Sequence, residues 1–201
     1  MKKLVLSLVA ICSFTLFSMA QDGYKVGDQI SDFSLKNIDG KMISLADYKD
    51  AKGFIVTFTC NHCPYAKAYE DRIVALNSKY AKAGYPVIAI NPNDAKAFPD
   101  DNFDNMKIRA KEKKFNFPYL QDESQDVAKK FGALRTPHIY IVQKENDKLV
   151  VKYIGAIDDN WENASAVKEK YAESAIDALL AGKPITTTFT KAIGCGIKWK
   201  S

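Results

Sequence analysis

From residue 53 to 59 the chain reads Gly-Phe-Ile-Val-Thr-Phe-Thr, a β-branched and aromatic run with few polar positions. That is the pattern of a central strand covered on both faces. Beyond residue 63 the period changes. Ala66, Tyr69, Ile73, Leu76, Tyr80 and Ala83 recur at three- and four-residue steps, with Lys67, Glu70, Asp71, Lys79 and Lys82 mostly off that stripe. The spacing predicts an amphipathic helix stopped by Gly84. Pro86-Val87-Ile88-Ala89-Ile90 then reads as a second buried strand.

Upstream, Phe33-Ser34-Leu35 and Met42-Ile43-Ser44-Leu45 flank Asn37-Ile38-Asp39-Gly40, which predicts a β-hairpin around an Asp-Gly turn. Downstream, a polar loop over residues 91–102 precedes a helix at about 103–114 and a short strand near 117–120. A helix at about 124–131 ends at Gly132. Strands at 138–143 and 148–156 are joined across Lys144-Glu145-Asn146-Asp147, and a last helix at about 164–181 stops at Gly182-Lys183-Pro184. The order is mixed α/β, with one domain over residues 24–184 and a tail over 185–201.

The first twenty residues stand apart. Lys2 and Lys3 precede an apolar run over residues 4–17, and Ser18-Met19-Ala20 gives way to the polar Gln21-Asp22-Gly23. This is the layout of a signal peptide over residues 1–20, with an apolar run short for a membrane span. The other reading of such a run is an uncleaved anchor. Ile11 ahead of Cys12 is too bulky for a lipoprotein cleavage site. The expectation is an exported protein, most simply periplasmic, with no membrane association after cleavage. The full chain carries a net charge of +5, which falls to about +3 without Lys2 and Lys3. That is too weak and too scattered to suggest nucleic acid.

Cleavage leaves Cys60, Cys63 and Cys195. A disulfide between residues only three apart closes too small a loop to staple a fold usefully. Cys60-Asn61-His62-Cys63, between a buried strand and a helix, has a chemical meaning instead. At a helix start, unpaired N–H groups and the helix dipole favour a negative sulfur, and the thiolate is the reactive form. Cys60 is the expected nucleophile. Cys63, one turn along and deeper, is expected to resolve the mixed disulfide formed on Cys60. A cationic His62 would stabilise the Cys60 thiolate and make the disulfide more oxidising; a His62 pointing into solvent would do neither. Cys60, Cys63, His62 and His138 are also zinc-ligand types, but without a second Cys-x-x-Cys the set lacks the usual structural pattern. No metal and no cofactor are expected. Thr136-Pro137, just before a strand, fits either an ordinary trans proline or a cis bond that brings backbone beside the sulfurs.

The order of these elements around the Cys-x-x-Cys and Thr136-Pro137 resembles the thioredoxin superfamily over roughly residues 26–181. More narrowly, Phe58-Thr59-Cys60-Asn61-His62-Cys63-Pro64-Tyr65, Asn91-Pro92-Asn93-Asp94, Asp158-Asp159-Asn160-Trp161 and Gly194-Cys195-Gly196-Ile197-Lys198-Trp199 are similar to a bacterial peroxiredoxin-like branch with an AhpC/TSA-type, or redoxin, domain. The resemblance implies a thioredoxin-like fold, a central mixed β-sheet flanked by helices, with the hairpin as an N-terminal extension and a C-terminal tail. It implies that Pro137 is a cis-proline facing Cys60.

Two activities follow from the resemblance. One is a thiol–disulfide oxidoreductase acting on protein thiols and disulfides, or served by an electron-donating dithiol protein. The other is an antioxidant thiol peroxidase with Cys60 attacking peroxide. For the second, Thr57 matches the Thr-x-x-Cys element and Arg135 is the candidate active-site arginine. The chain departs from that pattern at Gly53, seven before Cys60, where a proline is expected. A plain binding scaffold would have no need of a reactive dithiol. Two roles are open to Cys195: a second resolving thiol that swings onto Cys60, or a buried inert cysteine.

Overall fold

Strand β4 (Gly53–Phe58) occupies the middle of the main sheet, with all six residues buried. The computed structural model describes residues 23–201; the expected signal peptide lies outside the described residues. β4 is parallel to β5 (Val87–Asn91), which is parallel to β6 (Tyr119–Gln121). On its other side β4 is antiparallel to β8 (His138–Glu145), which pairs with β9 (Lys148–Gly155). The edges are β1 (Gln29–Ile30) on β9 and the hairpin β2 (Ser34–Asn37) and β3 (Met42–Ser44) on β6. This is the thioredoxin-like arrangement, with the hairpin extending the sheet.

The period of two along β4 divides the core. Ile55 faces Tyr69, Ile73 and Leu76 of α1 (Pro64–Tyr80), Met106 of α2 (Phe103–Glu112) and Ile176 of α4 (Tyr171–Leu180). Phe54, Val56 and Phe58 face Val127 and Phe131 of α3 (Asp126–Phe131). Burial on both sides is why β4 and β5 read as mainly apolar runs.

Two expectations need correction. The last helix does not start at residue 164. A 3-10 turn spans Ala164–Ala166, and α4 begins at Tyr171. Asp159 is the cause: its carboxylate accepts from Lys168 N and its own N–H donates to Glu169 O, so the backbone between is not free to wind. The turn between β8 and β9 is tighter than the four polar residues suggest. Asn146 and Asp147 form it alone, at φ 48° and 63°, the left-handed pair that matches strand twist.

The tail over residues 185–201 is bonded to the domain at several points. Ile154 exchanges backbone hydrogen bonds with Thr188 and Thr190. Gln125, itself at φ 65°, donates through Nε2 to Lys198 O (2.8 Å) and accepts from Lys200 N (2.8 Å). Asn93 Oδ1 accepts from Lys198 N, and Ile197 is buried in the core. The polar loop over residues 91–102 is thus the floor on which the tail is laid.

Candidate active site

α1 begins one residue after the Cys-x-x-Cys. Cys63 is the N-cap, extended at φ −64° and ψ 126°, and Pro64 fills the first helical position, where a missing N–H costs nothing. This corrects the expected placement: Cys60 lies in the loop after β4, ahead of the first helical turn, and Cys63 is the cap. Both are buried, Cys60 at 2% exposure and Cys63 at 0%.

The expected reactive thiolate does not follow at Cys60 in this state. Burial pushes its pKa from 9.0 up to about 11, and the nearby Asp101 carboxylate adds to the rise; hydrogen bonds from the Thr136 side chain and from backbone offset only part of it. His62 turns to Asp101. Its Nδ1 donates to Asp101 Oδ2 at 2.5 Å, and its ring stacks on Phe98 with centroids 5.6 Å apart. Asp101 also accepts from Asn61 N (2.7 Å) and Asn93 Nδ2 (2.7 Å). Asn61 is held in turn by Tyr119 OH and by Asp100 O. The loop carrying the cysteines is therefore pinned by a buried carboxylate.

The Thr136–Pro137 bond is cis. Thr136 touches both sulfurs of the motif: its Oγ1 lies 3.2 Å from Cys60 Sγ, and its carbonyl oxygen 3.2 Å from Cys63 Sγ. β7 (Arg135–Thr136) pairs antiparallel with β10 (Cys195–Gly196), with Cys195 opposite Thr136. That pairing delivers Cys195 to the site. Its sulfur bonds to Cys63, across a Cα–Cα distance of 6.1 Å, and not to Cys60. Among the described residues Cys60 is the one cysteine left as a thiol.

Among the described residues, Cys60 Sγ hydrogen-bonds to Thr136 and to neither of the two residues named for peroxide chemistry. Thr57 is buried on the Ile55 face of β4, and its Oγ1 has no hydrogen-bond partner among the described residues. Arg135 is exposed and donates through Nη1 to Gly194 O at 3.2 Å. The four zinc-type ligands are not gathered either. His138 is buried apart, its Nδ1 accepting from Leu134 N at 3.4 Å, and desolvation lowers its pKa to about 4. The ligand atoms that do lie within 4.8 Å of one another belong to Cys60, His62 and Asp101, and two of these are already bonded to each other.

The sequence reading missed Asp101, the Thr136 hydroxyl and Gln125. Asp101 stands in a stretch, Phe98-Pro99-Asp100-Asp101-Asn102, that looks like solvated loop. Nothing in its pattern marks one carboxylate as buried. The Asn91-Pro92-Asn93-Asp94 motif was the available pointer, since Asn93 contacts both Asp101 and the tail. The Asp158-Asp159-Asn160-Trp161 motif is equally structural: Asp158 receives Arg72 Nη1 (2.7 Å) and Tyr69 OH (2.9 Å), and Arg72 Nη2 reaches Trp161 O. Trp161 then packs on Tyr65 beside the cysteines, with centroids 4.3 Å apart.

Known proteins share this frame. The crystal structure of a conserved protein from Geobacillus kaustophilus superimposes with a TM-score of 0.81 at 39% identity, covering 88% of this chain and 93% of that one. The thiol-disulfide oxidoreductase ResA of Bacillus thuringiensis subsp. konkukian is 24% identical over 148 residues, 70% of this chain and 80% of the relative. The chloroplastic peroxiredoxin Q of Triticum aestivum is 31% identical over 134 residues, 61% of this chain and 55% of that one. Residues 26–154, more than half of the chain and the part that carries Cys60, Cys63 and Thr136-Pro137, match the AhpC/TSA family; the chain is an oxidoreductase and belongs to that family.

Proposed function

We propose that the protein is a thiol–disulfide oxidoreductase of an exported compartment, in which Cys60 attacks and Cys63 resolves. The observation that carries the reading is the contact of one residue, Thr136, with both sulfurs beside a cis-proline. In the reduced protein the Thr136 hydroxyl donates to a Cys60 thiolate, and the Cys63 thiol donates to the Thr136 carbonyl. One sulfur is thereby favoured as thiolate and the other held as thiol until its turn. Asp101 acts as a positioning residue, holding His62 and the loop. The substrates are protein disulfides, or thiols if electrons flow the other way, and the counterpart is a dithiol protein. The leader-like first twenty residues support the compartment; among the described residues no helix is long and apolar enough to cross a membrane.

The test compares two substrates on one set of variants. With a protein disulfide as substrate, Cys60→Ser should abolish exchange and Cys63→Ser should stop turnover while trapping mixed disulfides. Thr57→Val with Arg135→Met should keep most of the activity. Rapid consumption of hydrogen peroxide by the wild type, lost in that double variant, would replace this reading with a thiol peroxidase, whose sulfenic acid at Cys60 needs such donors.

A further inference from the structure

We propose that the three cysteines form a relay in which the oxidation taken up at Cys60 passes through Cys63 to Cys195, and that the Cys63–Cys195 disulfide then locks the tail over Cys60. The proposal rests on the reading of Cys60 as the attacking thiol and adds a destination for the disulfide.

Three observations carry it. Cys60, Cys63 and Cys195 pack in one small cluster with Ala66 and Tyr65. Cys63 stands between the other two in chemistry, since it shares the Cys-x-x-Cys with Cys60 and a bond with Cys195. The tail is also built to present Cys195 there: β10 pairs with β7, Arg135 binds Gly194 O, and the clamp at Gln125 and Asn93 fixes the chain just beyond. Gly194 makes the approach feasible, because a Cβ at that position would stand 2.4 Å from Thr136 O.

The steps balance. A Cys60 thiolate attacks a substrate disulfide, forming a mixed disulfide and expelling one substrate thiolate. The Cys63 thiolate attacks Cys60 Sγ, forming Cys60–Cys63 and expelling the second. The Cys195 thiolate then attacks Cys63 Sγ, forming Cys63–Cys195 and returning Cys60 as a thiolate that takes up a proton. Two electrons and two protons leave the Cys63 and Cys195 thiols for the substrate. Reopening needs a dithiol donor, which forms its own disulfide. Its thiolate enters at Cys195, half-buried, since Cys63 is fully enclosed.

The test begins with the reduced protein and glutathione disulfide, quenched in acid at intervals, alkylated after denaturation and mapped by mass spectrometry. The expected end product links Cys63 to Cys195 with the label on Cys60, and Cys60–Cys63 peaks earlier. An end product linking Cys60 to Cys63, with Cys195 labelled, overturns the relay while leaving the oxidoreductase reading intact. Cys60→Ser separates the two: disulfide formation as fast as in the wild type would remove Cys60 as the attacking thiol, and a loss of about tenfold or more supports it. Cys195→Ser tests the lock: kept reduced and under native conditions, it should have Cys60 alkylated about tenfold faster than in the oxidised wild type, where the Cys63–Cys195 bond ties the tail down; an equal rate overturns the lock.

Discussion

Asp101 Oδ2 lies 2.5 Å from His62 Nδ1 and belongs to a carboxylate only 1% exposed. The same charge acts on Cys60, where it opposes ionisation of the thiol. The histidine between the two cysteines therefore has its Nδ1 engaged with a neighbour that works against the thiolate. One buried carboxylate both orders the loop and restrains its nucleophile.

Asp101→Asn should separate those two effects. Removing the charge lowers the Cys60 pKa, so the thiolate absorbance should appear at lower pH and alkylation at neutral pH should quicken by roughly three- to tenfold. No change in the Cys60 titration would mean that burial alone sets it.

The pH dependence of Cys60 itself has a defined sign. Its pKa is raised from 9.0 to about 11 in the folded protein, so the stability it contributes is complete below pH 9 and lost as pH rises through about 11. Alkylation of Cys60 in the disulfide-bonded protein should therefore keep climbing beyond pH 9. A plateau near pH 9 would show an unperturbed thiol.

His138 predicts the acid limb. Burial lowers its pKa from 6.5 to about 4, so its contribution is present above pH 6.5 and lost as pH falls through about 4. At about 1.4 kcal/mol per unit, the loss is up to ~3 kcal/mol. Urea unfolding at pH 7 and pH 4 should show it, and His138→Gln should flatten that difference.

Arg72→Met should cost about 2–4 kcal/mol, because it leaves the Asp158 carboxylate buried without its cation. Asp158 is 6% exposed and also holds Tyr69. Urea denaturation measures the loss. The same variant frees Trp161 from Arg72 and loosens its packing on Tyr65, so disulfide exchange should slow as well. Wild-type stability in Arg72→Met would show that the pair contributes nothing net.

Much of the frame was legible because it rests on local periodicity. Phe54, Ile55, Val56 and Phe58 put apolar side chains on both faces, and β4 is buried on both faces. The stripe from Ala66 to Tyr80 became α1. The start of α4 was not legible, since Lys168, Glu169 and Lys170 are acceptable helix residues and only the distant Asp159 holds them out of it. The site divides in the same way. Cys60, Cys63 and Thr136-Pro137 were visible as a motif and a spacing. Asp101 was not, because a buried carboxylate and a solvated one have the same letter and the same polar neighbours.

The sequence by itself determined which sulfurs and which strand–helix junction this protein would work with, since those follow from residue type and short-range period. Which sulfurs pair, and which are ionised, was decided by the tertiary structure. Cys195 lies 132 residues beyond Cys63, and only the docking of β10 on β7 brings it in place of Cys60 as the partner. The thiol pKa likewise depends on burial and on a carboxylate 41 residues away along the chain. Desolvation and Coulomb forces act through space, and chain order does not encode them.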